Sequence, residues 1–230
     1  MATLLACAPQ EPVSLQGGPD VVEGERHFLH GYPALNPDGT VNAVIEIPAG
    51  TSAKWEVEKN SGNLHWERQG EGYRIVHYLP YPANYGMVPQ TLLPAQSGGD
   101  GDPLDVVVLS PALNRGTVVA VRLIGVLRLL DGGERDDKLL AVLPGTPLGE
   151  VGDLPELERD FPGTGQVVET WFANYKGPAT MVSEGLAGVE EATAMLRQAM
   201  SAYRQANPEN GVPQPSAEPS QEEDERPQQP

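Results

Sequence analysis

The chain is poor in several features that define common classes of protein. Its 230 residues include one cysteine, Cys7, which excludes an intramolecular disulfide framework. No apolar stretch is long enough to span a bilayer. Only 15 lysine and arginine residues stand against 32 aspartate and glutamate residues, and the formal net charge of -17 opposes binding to nucleic acid and to anionic membrane surfaces. An anionic substrate would need local cations that reverse this field at its site.

Aromatic residues are also scarce, at 6%, whereas the chain contains 26 glycines and 23 prolines. This composition predicts many turns and short strands rather than a helix bundle. The length is that of one ordinary domain with additional segments. We predict a turn-rich N-terminal extended arm over residues 1–40, one domain over 41–206 and a tail over 207–230. Proline, glutamine, serine and glutamate dominate the tail without apolar periodicity, which predicts disorder.

The N-terminus leaves two localisations open. The run Leu4-Leu5-Ala6-Cys7 resembles the cleavage box of bacterial lipoproteins, in which the cysteine carries the lipid. No basic region precedes it, and the apolar run is far shorter than that of a usual signal sequence. We therefore expect a cytoplasmic protein, with a cell-envelope lipoprotein anchored through Cys7 as the alternative.

Strand patterns fill the first part of the predicted domain. Residues 43–48 are predicted to form a strand, in which alternation puts Ile45 and Ile47 on one face and Glu46 on the other. Residues 60–63 predict a hairpin turn. Further strands are predicted over residues 54–58, 64–68, 106–109, 117–130 and 139–143. In the strand over 117–130, the even spacing of Arg122 and Arg128 predicts that both lie on one face.

Helix signals come later in the chain. Asp153 is an acidic cap before Pro155, and it predicts a helix that stops before Pro162. The last helix covers roughly residues 189–205, with one apolar stripe. Strands first and helices afterwards indicate an α+β, mainly β, class with a small closed barrel and helices packed against it.

One short acidic stretch is the most informative part of the sequence. Asp100, Asp102 and Asp105 fall within six residues and directly precede the apolar strand Val106–Leu109. Because the three carboxylates directly precede a buried strand, a metal site is a more specific interpretation than a solvated turn. Oxygen ligands favour Mg²⁺ or Mn²⁺ at such a site. An EF-hand loop does not fit, because Pro103 interrupts the segment and Asp105 takes the position of its glycine.

A second acidic turn at residues 131–138 also adjoins strands. Lys54, Arg68, Lys176 and several tyrosines add cationic and hydroxyl donors on irregular or alternating segments. Carboxylates for divalent ions together with cations for phosphate are what phosphoryl chemistry requires. There is no glycine-rich phosphate loop, and the four histidines lack metal-ligand spacing.

These motifs resemble the family I soluble inorganic pyrophosphatases. The family signature Asp-x-Asp-Pro-x-Asp, followed by an aliphatic run, corresponds to residues 100–106, and the other matching motifs follow in the family's order over about residues 41–205. The other motifs are residues 44–48, Lys54-x-Glu56, Ser61-Gly62 with Arg68, residues 81–86, Asp131 with Asp136 and Lys138, and Tyr175-Lys176. The resemblance implies a five-stranded OB-like closed barrel with two main flanking helices.

The resemblance also implies a role for each matching residue. Asp102 is similar to the residue that takes a proton from the attacking water or hydroxide, with Tyr81 and Lys138 as pocket residues that tune the site. The implied metal set comprises Asp100, Asp105, Asp131, Asp136, Glu46 and Glu56, with Asp137 as an alternative to Asp136. The implied phosphate-binding set comprises Lys54, Arg68, Tyr85, Tyr175 and Lys176.

The resemblance therefore predicts Mg²⁺-dependent hydrolysis of pyrophosphate to two orthophosphates. The resemblance implies several Mg²⁺ ions per site, with Mn²⁺ as a substitute. It also implies a homo-oligomer, which is a hexamer in typical bacterial members. Two other hypotheses stay open from the residues alone. One is a non-catalytic OB-like binding module with structural cations, and the other is a phosphohydrolase for nucleotides or polyphosphate, for which no base-binding element is evident.

Overall fold

The computed structural model describes residues 20–94 and 101–209. Cys7, Asp100 and nearly all of the predicted tail therefore lie outside the described residues. The strands are β1 Val21–Val22, β2 Val41–Ile47, β3 Trp55–Val57, β4 Leu64–Trp66, β5 Arg68–Gln69, β6 Gly72–Tyr73, β7 Asn84–Met87, β8 Asp105–Leu109, β9 Val118–Asp131, β10 Glu134–Arg135, β11 Lys138–Val142 and β12 Met181–Gly188. The α-helices are α1 Leu154–Asp160, α2 Thr164–Asn174 and α3 Val189–Ala206, and a 3₁₀ helix covers Pro147–Glu150.

A seven-stranded sheet is the main framework of the described chain. Its strands follow the order β10-β9-β11-β8-β7-β2, β12 pairs with β9, and β9 also pairs with β2. All pairings are antiparallel except that between β8 and β11. The mainly β class with flanking helices is confirmed, and the valines of β8 are buried as their β-branched run predicts.

A smaller sheet lies beside the main one. It has the order β1-β4-β3, and the short hairpin of β5 and β6 follows it. The predicted turn at residues 60–63 connects β3 to β4. Residues 20–40, part of the predicted arm, contribute Val22, Phe28 and Leu29 to the buried core. The boundaries of the three predicted segments stay predictions.

Two β-bulges change the faces on which side chains of β2 and β9 lie, compared with simple alternation. In β2 the register shifts between Ile45 and Ile47, and these side chains join different core clusters. In β9 the pairing with β11 shifts at Ile124, so Arg122 and Arg128 do not share a face. A bulge adds one residue to one strand, which inverts the alternation beyond it. The prediction of one shared face was wrong for both pairs.

The helices follow their local signals. The Asp153 carboxylate accepts a hydrogen bond from the backbone N–H of Glu156 at 2.8 Å, which confirms the predicted cap of α1. The apolar stripe of α3, which includes Ala192, Leu196 and Ala199, is buried in the same core cluster as Ile45. The described residues hold three α-helices rather than two, because α2 adds one, and neither α2 nor β12 was predicted. In this same part of the chain, no helix is both long and apolar enough to cross a membrane.

Candidate active site

A cleft of about 560 Å³ opens where the small sheet faces the acidic edge of the main sheet. We call it the acidic cleft and define it by its lining residues. It collects ten of the residues proposed from the sequence, from segments far apart in the chain. These ten are Glu46, Lys54, Glu56, Tyr85, Asp102, Asp105, Asp136, Lys138, Tyr175 and Lys176, joined by Val57, Glu58, Lys59, Asn60, Arg74, Met87 and Pro103.

The floor of the acidic cleft is the ion-paired group Asp105, Asp136 and Lys138. The parallel pairing of β8 with β11 sets Lys138 opposite Asp105. The Lys138 ammonium contacts the carboxylate of Asp105 and lies 2.5 Å from that of Asp136. Burial by itself would lower the pKa of Lys138, but the two carboxylates outweigh burial and raise that pKa above its ordinary value. The floor therefore holds a buried, charged lysine.

Asp136 and Asp137 point in different directions. Asp136 lines the acidic cleft, and burial raises the pKa of its carboxyl although Lys138 opposes that change. Asp137 instead accepts a hydrogen bond from the backbone N–H of Leu129 at 2.9 Å and lies 3.6 Å from Arg135. Of the two, Asp136 is the one available to a ligand in the acidic cleft.

Glu46 is buried in the wall, at the bulge of β2. Its carboxylate accepts a hydrogen bond from the backbone N–H of Val57 at 2.9 Å, which ties the main sheet to the small one. Burial raises the pKa of Glu46 to about 8, and the Lys54 ammonium opposes this rise. The neighbouring Glu56 is exposed and lies 3.8 Å from Lys54. The wall therefore contributes one buried carboxyl, which ionises reluctantly, and one exposed carboxyl beside Lys54.

The tyrosines divide between the lining and the layer behind it. Tyr85 and Tyr175 line the acidic cleft, and burial raises the pKa of the Tyr85 hydroxyl well above its ordinary value. Tyr81 is buried behind them, 4.3 Å from Trp171 between ring centroids and 5.4 Å from Tyr85. Tyr81 thus packs against the lining rather than facing the acidic cleft. The Lys54 ammonium lies 5.4 Å from the centre of the Tyr85 ring.

Two further ion pairs lie nearer to solvent. Lys176 pairs with Asp131, which brings the end of α2 to the end of β9. Lys59 pairs with Asp102 and also donates to the backbone carbonyl of Gly101 at 2.9 Å. We call Lys59 and Asp102 the mouth of the acidic cleft, because half of each side chain is exposed. Sequence reasoning missed Lys59.

Arg68 does not reach the acidic cleft. Its guanidinium lies over the ring of Tyr73 at 4.3 Å and reaches the Asp20 carboxylate at 3.5 Å, and Arg68 is not among the residues that line the acidic cleft. Arg74 lines the acidic cleft instead. The hairpin of β5 and β6 separates the two arginines, and the carbonyl of Arg74 accepts a hydrogen bond from the backbone N–H of Lys54 at 3.1 Å.

Arg74 was missed because the motif spacing favours Arg68. The hairpin of β5 and β6 places the arginine that lines the acidic cleft further along the chain. A visible signal was the glycine pair Gly70 and Gly72, which marks a turn between the two arginines. The Arg74 guanidinium donates two hydrogen bonds to Glu67, at 2.7 and 2.9 Å. Both hydrogen bonds come from one nitrogen, Nη1, and this charged pair holds the arginine beside Lys54 in the wall.

The donor set fits Mg²⁺. Among residues 20–94 and 101–209, no three acidic, histidine or cysteine side chains are grouped closely enough to hold one ion. Mg²⁺ does not require such a group, since it keeps several waters and is usually held by one or two carboxylates with substrate phosphates. The floor carboxylates already hold a cation, the Lys138 ammonium, and supply only oxygen ligands. Such hard oxygen donors favour Mg²⁺ and Mn²⁺ over Zn²⁺.

Carboxylates for divalent cations and lysine, arginine and tyrosine donors for an oxyanion together define an enzyme that acts on phosphoryl groups. The family profile described as inorganic pyrophosphatase matches residues 43–204. An inorganic pyrophosphatase of Ralstonia nicotianae is 37% identical over 187 residues, covering 77% of this chain and 98% of that protein. That of Nostoc is 32% identical over 179 residues, covering 76% and 99%.

Solved structures agree. The inorganic pyrophosphatase of Helicobacter pylori has a TM-score of 0.64 at 32% identity, covering 75% of this chain and 98% of that one. The type I inorganic pyrophosphatase of Toxoplasma gondii has a TM-score of 0.72 at 28% identity, covering 78% and 88%. The chain belongs to the inorganic pyrophosphatase family, which confirms the predicted family and, at family level, the predicted enzyme class.

Proposed function

We propose that the protein hydrolyses inorganic pyrophosphate to two orthophosphates and that the reaction requires Mg²⁺, with Mn²⁺ as a substitute. The observation that carries this proposal is the acidic cleft, where carboxylates and cationic side chains line one space. A structural ion site needs the carboxylates alone. Lys54, Arg74 and Lys176 in the same walls are explained by a polyanionic substrate.

The carboxylates that would hold Mg²⁺ are Asp105 and Asp136 on the floor and Asp131 beside Lys176, with Asp100 outside the described residues. Glu46 and Glu56 would support further ions or ordered water. When bound, Mg²⁺ would neutralise charge on phosphate oxygens and would lower the pKa of a water molecule. The raised pKa of Lys138 keeps its ammonium charged between the floor carboxylates, so it moderates their mutual repulsion.

The protein's own groups then bind and orient the substrate. Lys54, Arg74, Lys176, Tyr85 and Tyr175 would donate hydrogen bonds to the two phosphoryl groups, and Arg74 replaces Arg68 in the set expected from the sequence. Asp102 would accept the proton of the attacking water as general base. Attack at one phosphorus breaks the bridging P–O bond, and the leaving phosphate keeps its charge beside lysine and arginine. Tyr81 packs behind Tyr85 and would position it.

Four further predictions accompany this function. We propose that β2, β7, β8, β11 and β9 form the five-stranded OB-like barrel, since their pairings return from β9 to β2. We propose a cytoplasmic location, with lipidation at Cys7 as the alternative. We also propose a homo-oligomer, with the hexamer of bacterial relatives as the expected form, and no nucleic-acid partner because of the net charge.

The test is release of phosphate from pyrophosphate by the purified full chain, with Mg²⁺ and then with excess chelator. We expect release that the chelator abolishes and that Mn²⁺ partly restores. Asp102→Asn should lower kcat about 10²–10⁴-fold, the usual contribution of a general base, without lowering the melting temperature. A folded protein without turnover would favour the binding module, and a panel in which a nucleotide or polyphosphate is hydrolysed faster would favour the third hypothesis.

A further inference from the structure

The chain contains four lysines, and all four line the acidic cleft. Arginine supplies every other cationic side chain. Lys138 lies on the floor, while Lys54 and Lys176 belong to the proposed phosphate-binding set. Lys59 is the fourth lysine, and the proposed function gives it no role. Lysine carries a compact charge on a flexible four-carbon stem, which allows its ammonium to change partners within a site.

Exposure ranks these lysines from the floor outwards. The exposed fraction of the side chain is 3% for Lys138, 15% for Lys54, 26% for Lys176 and 52% for Lys59. Lys59 is thus the lysine that an anion approaching from solvent meets first. In a chain of net charge -17, a cation at the mouth is where attraction of an anionic substrate has to begin.

The turn that carries Lys59 is held by hydrogen bonds and by close packing of a glycine, which fixes the position of its backbone at the mouth. The Glu58 carboxylate accepts hydrogen bonds from the backbone N–H groups of Asn60 and Ser61, which lower the pKa of that carboxyl to about 2. Gly62 has a φ of 68°, and a Cβ there would lie 2.2 Å from the ring of His27. The side chain of Lys59 can therefore move while its backbone stays fixed.

The partner of Lys59 lies on a different element. Asp102 and Gly101 precede β8 of the main sheet, whereas Lys59 follows β3 of the small sheet. Since both side chains of the Lys59–Asp102 pair are half exposed, the pair contributes about 0–1 kcal/mol, and salt screens it. A doubly charged phosphoryl group can displace so weak a pair.

We propose that Lys59 is the entrance residue for the anionic substrate and that it exchanges partners during binding. Without substrate its ammonium is held by Asp102 and by the carbonyl of Gly101. With substrate it transfers to an outer phosphate oxygen, which also removes this ammonium from Asp102 when the proton acceptor is needed. The inference rests on the proposed function and adds a substrate-binding residue to it.

The first test measures acylation of each lysine by a limiting amine-reactive acetyl ester, read by peptide mass spectrometry against an added lysine-containing peptide. Lys59 should react fastest in the free full-length protein. Mg²⁺ with imidodiphosphate, a non-hydrolysable analogue, should slow its acylation roughly ten-fold, whereas Mg²⁺ alone should not. Unchanged acylation of Lys59 with protection of Lys54 and Lys176 would overturn the proposal and leave the proposed function standing.

The second test separates KM from kcat. Lys59→Gln should lower kcat/KM about ten-fold and kcat less than two-fold, and it should flatten the fall of kcat/KM with ionic strength. Lys59→Arg keeps the charge and should retain kcat/KM within about three-fold. Equal losses in kcat and kcat/KM, or no loss, would overturn the entrance role. A wild-type protein without turnover and without protection of any lysine would overturn the proposed function instead.

Discussion

The floor and the mouth of the acidic cleft contain the same chemistry, a lysine paired with aspartate, in opposite surroundings. Lys138 is buried between two carboxylates, whereas Lys59 and Asp102 are half exposed. Breaking a buried pair leaves an uncompensated charge and costs about 3–5 kcal/mol, while an exposed pair contributes about 0–1 kcal/mol. The difference teaches that position decides whether an ion pair holds the site together or can be exchanged for a ligand.

The largest expected effect is on the floor. Lys138→Met should lower the free energy of unfolding by about 3–5 kcal/mol, because it leaves Asp105 and Asp136 facing each other without a cation. Thermal melting with chelator would measure it, with Lys59→Met as the matched control at the mouth. Added Mg²⁺ should restore more of the melting temperature in Lys138→Met than in the wild type. Equal losses in the two variants would remove the distinction between floor and mouth.

The wall between them should show an intermediate effect. Arg74→Gln should lower kcat/KM for pyrophosphate about 10–100-fold, since a hydrogen bond between charged groups contributes roughly 1.5–3 kcal/mol. Arg68→Gln, which lies away from the lining of the acidic cleft, should lower it less than three-fold. Melting curves of both variants separate binding from the loss of the Arg74–Glu67 pair. A larger kinetic loss in Arg68→Gln would return the phosphate-binding role to Arg68.

Glu46 allows the wall to be tested by pH. The pKa of Glu46 in the folded protein, about 8, lies above its ordinary value of 4.5. Between these two pH values the Glu46 carboxyl therefore takes up a proton when the protein folds. The stability from this group is complete below about pH 4.5 and is lost as the pH rises through about 8, with a slope of at most about 1.4 kcal/mol per pH unit. In metal-free protein, Glu46→Gln should remove this slope from the pH dependence of stability. The same slope in wild type and variant would contradict the buried, protonated state.

The smallest effect belongs to the mouth. Lys59→Gln should change the free energy of unfolding by less than about 1 kcal/mol at low salt, and by less still at high salt. Denaturant titration at two ionic strengths measures both changes. A loss as large as that expected for Lys138→Met would show that the Lys59–Asp102 pair supports the structure and is not exchangeable.

Local signals explain how much was predictable. The acidic stretch before β8, the cap at Asp153 and the stripe of α3 depend on residues close together in the chain, and the structure confirms the strand and both helices. Bulges in β2 and β9 were not visible, because one extra residue changes register without changing composition. Strand β12 and helix α2 were missed because neither segment has a clear apolar period. Which of their side chains are buried depends on how these two elements and β9 pack together.

The sequence by itself determined the family and the types of side chain that the site contains. Motif order identifies the family, and residue type identifies the carboxylates and lysines without any coordinates. Only the tertiary structure decided which member of each near pair faces the acidic cleft, Arg74 rather than Arg68 and Asp136 rather than Asp137. It also brought Lys59 to Asp102 across two sheets. The physical reason is that each hairpin or bulge changes the face on which the following side chains lie. Contacts between distant segments depend in addition on how the two sheets pack together.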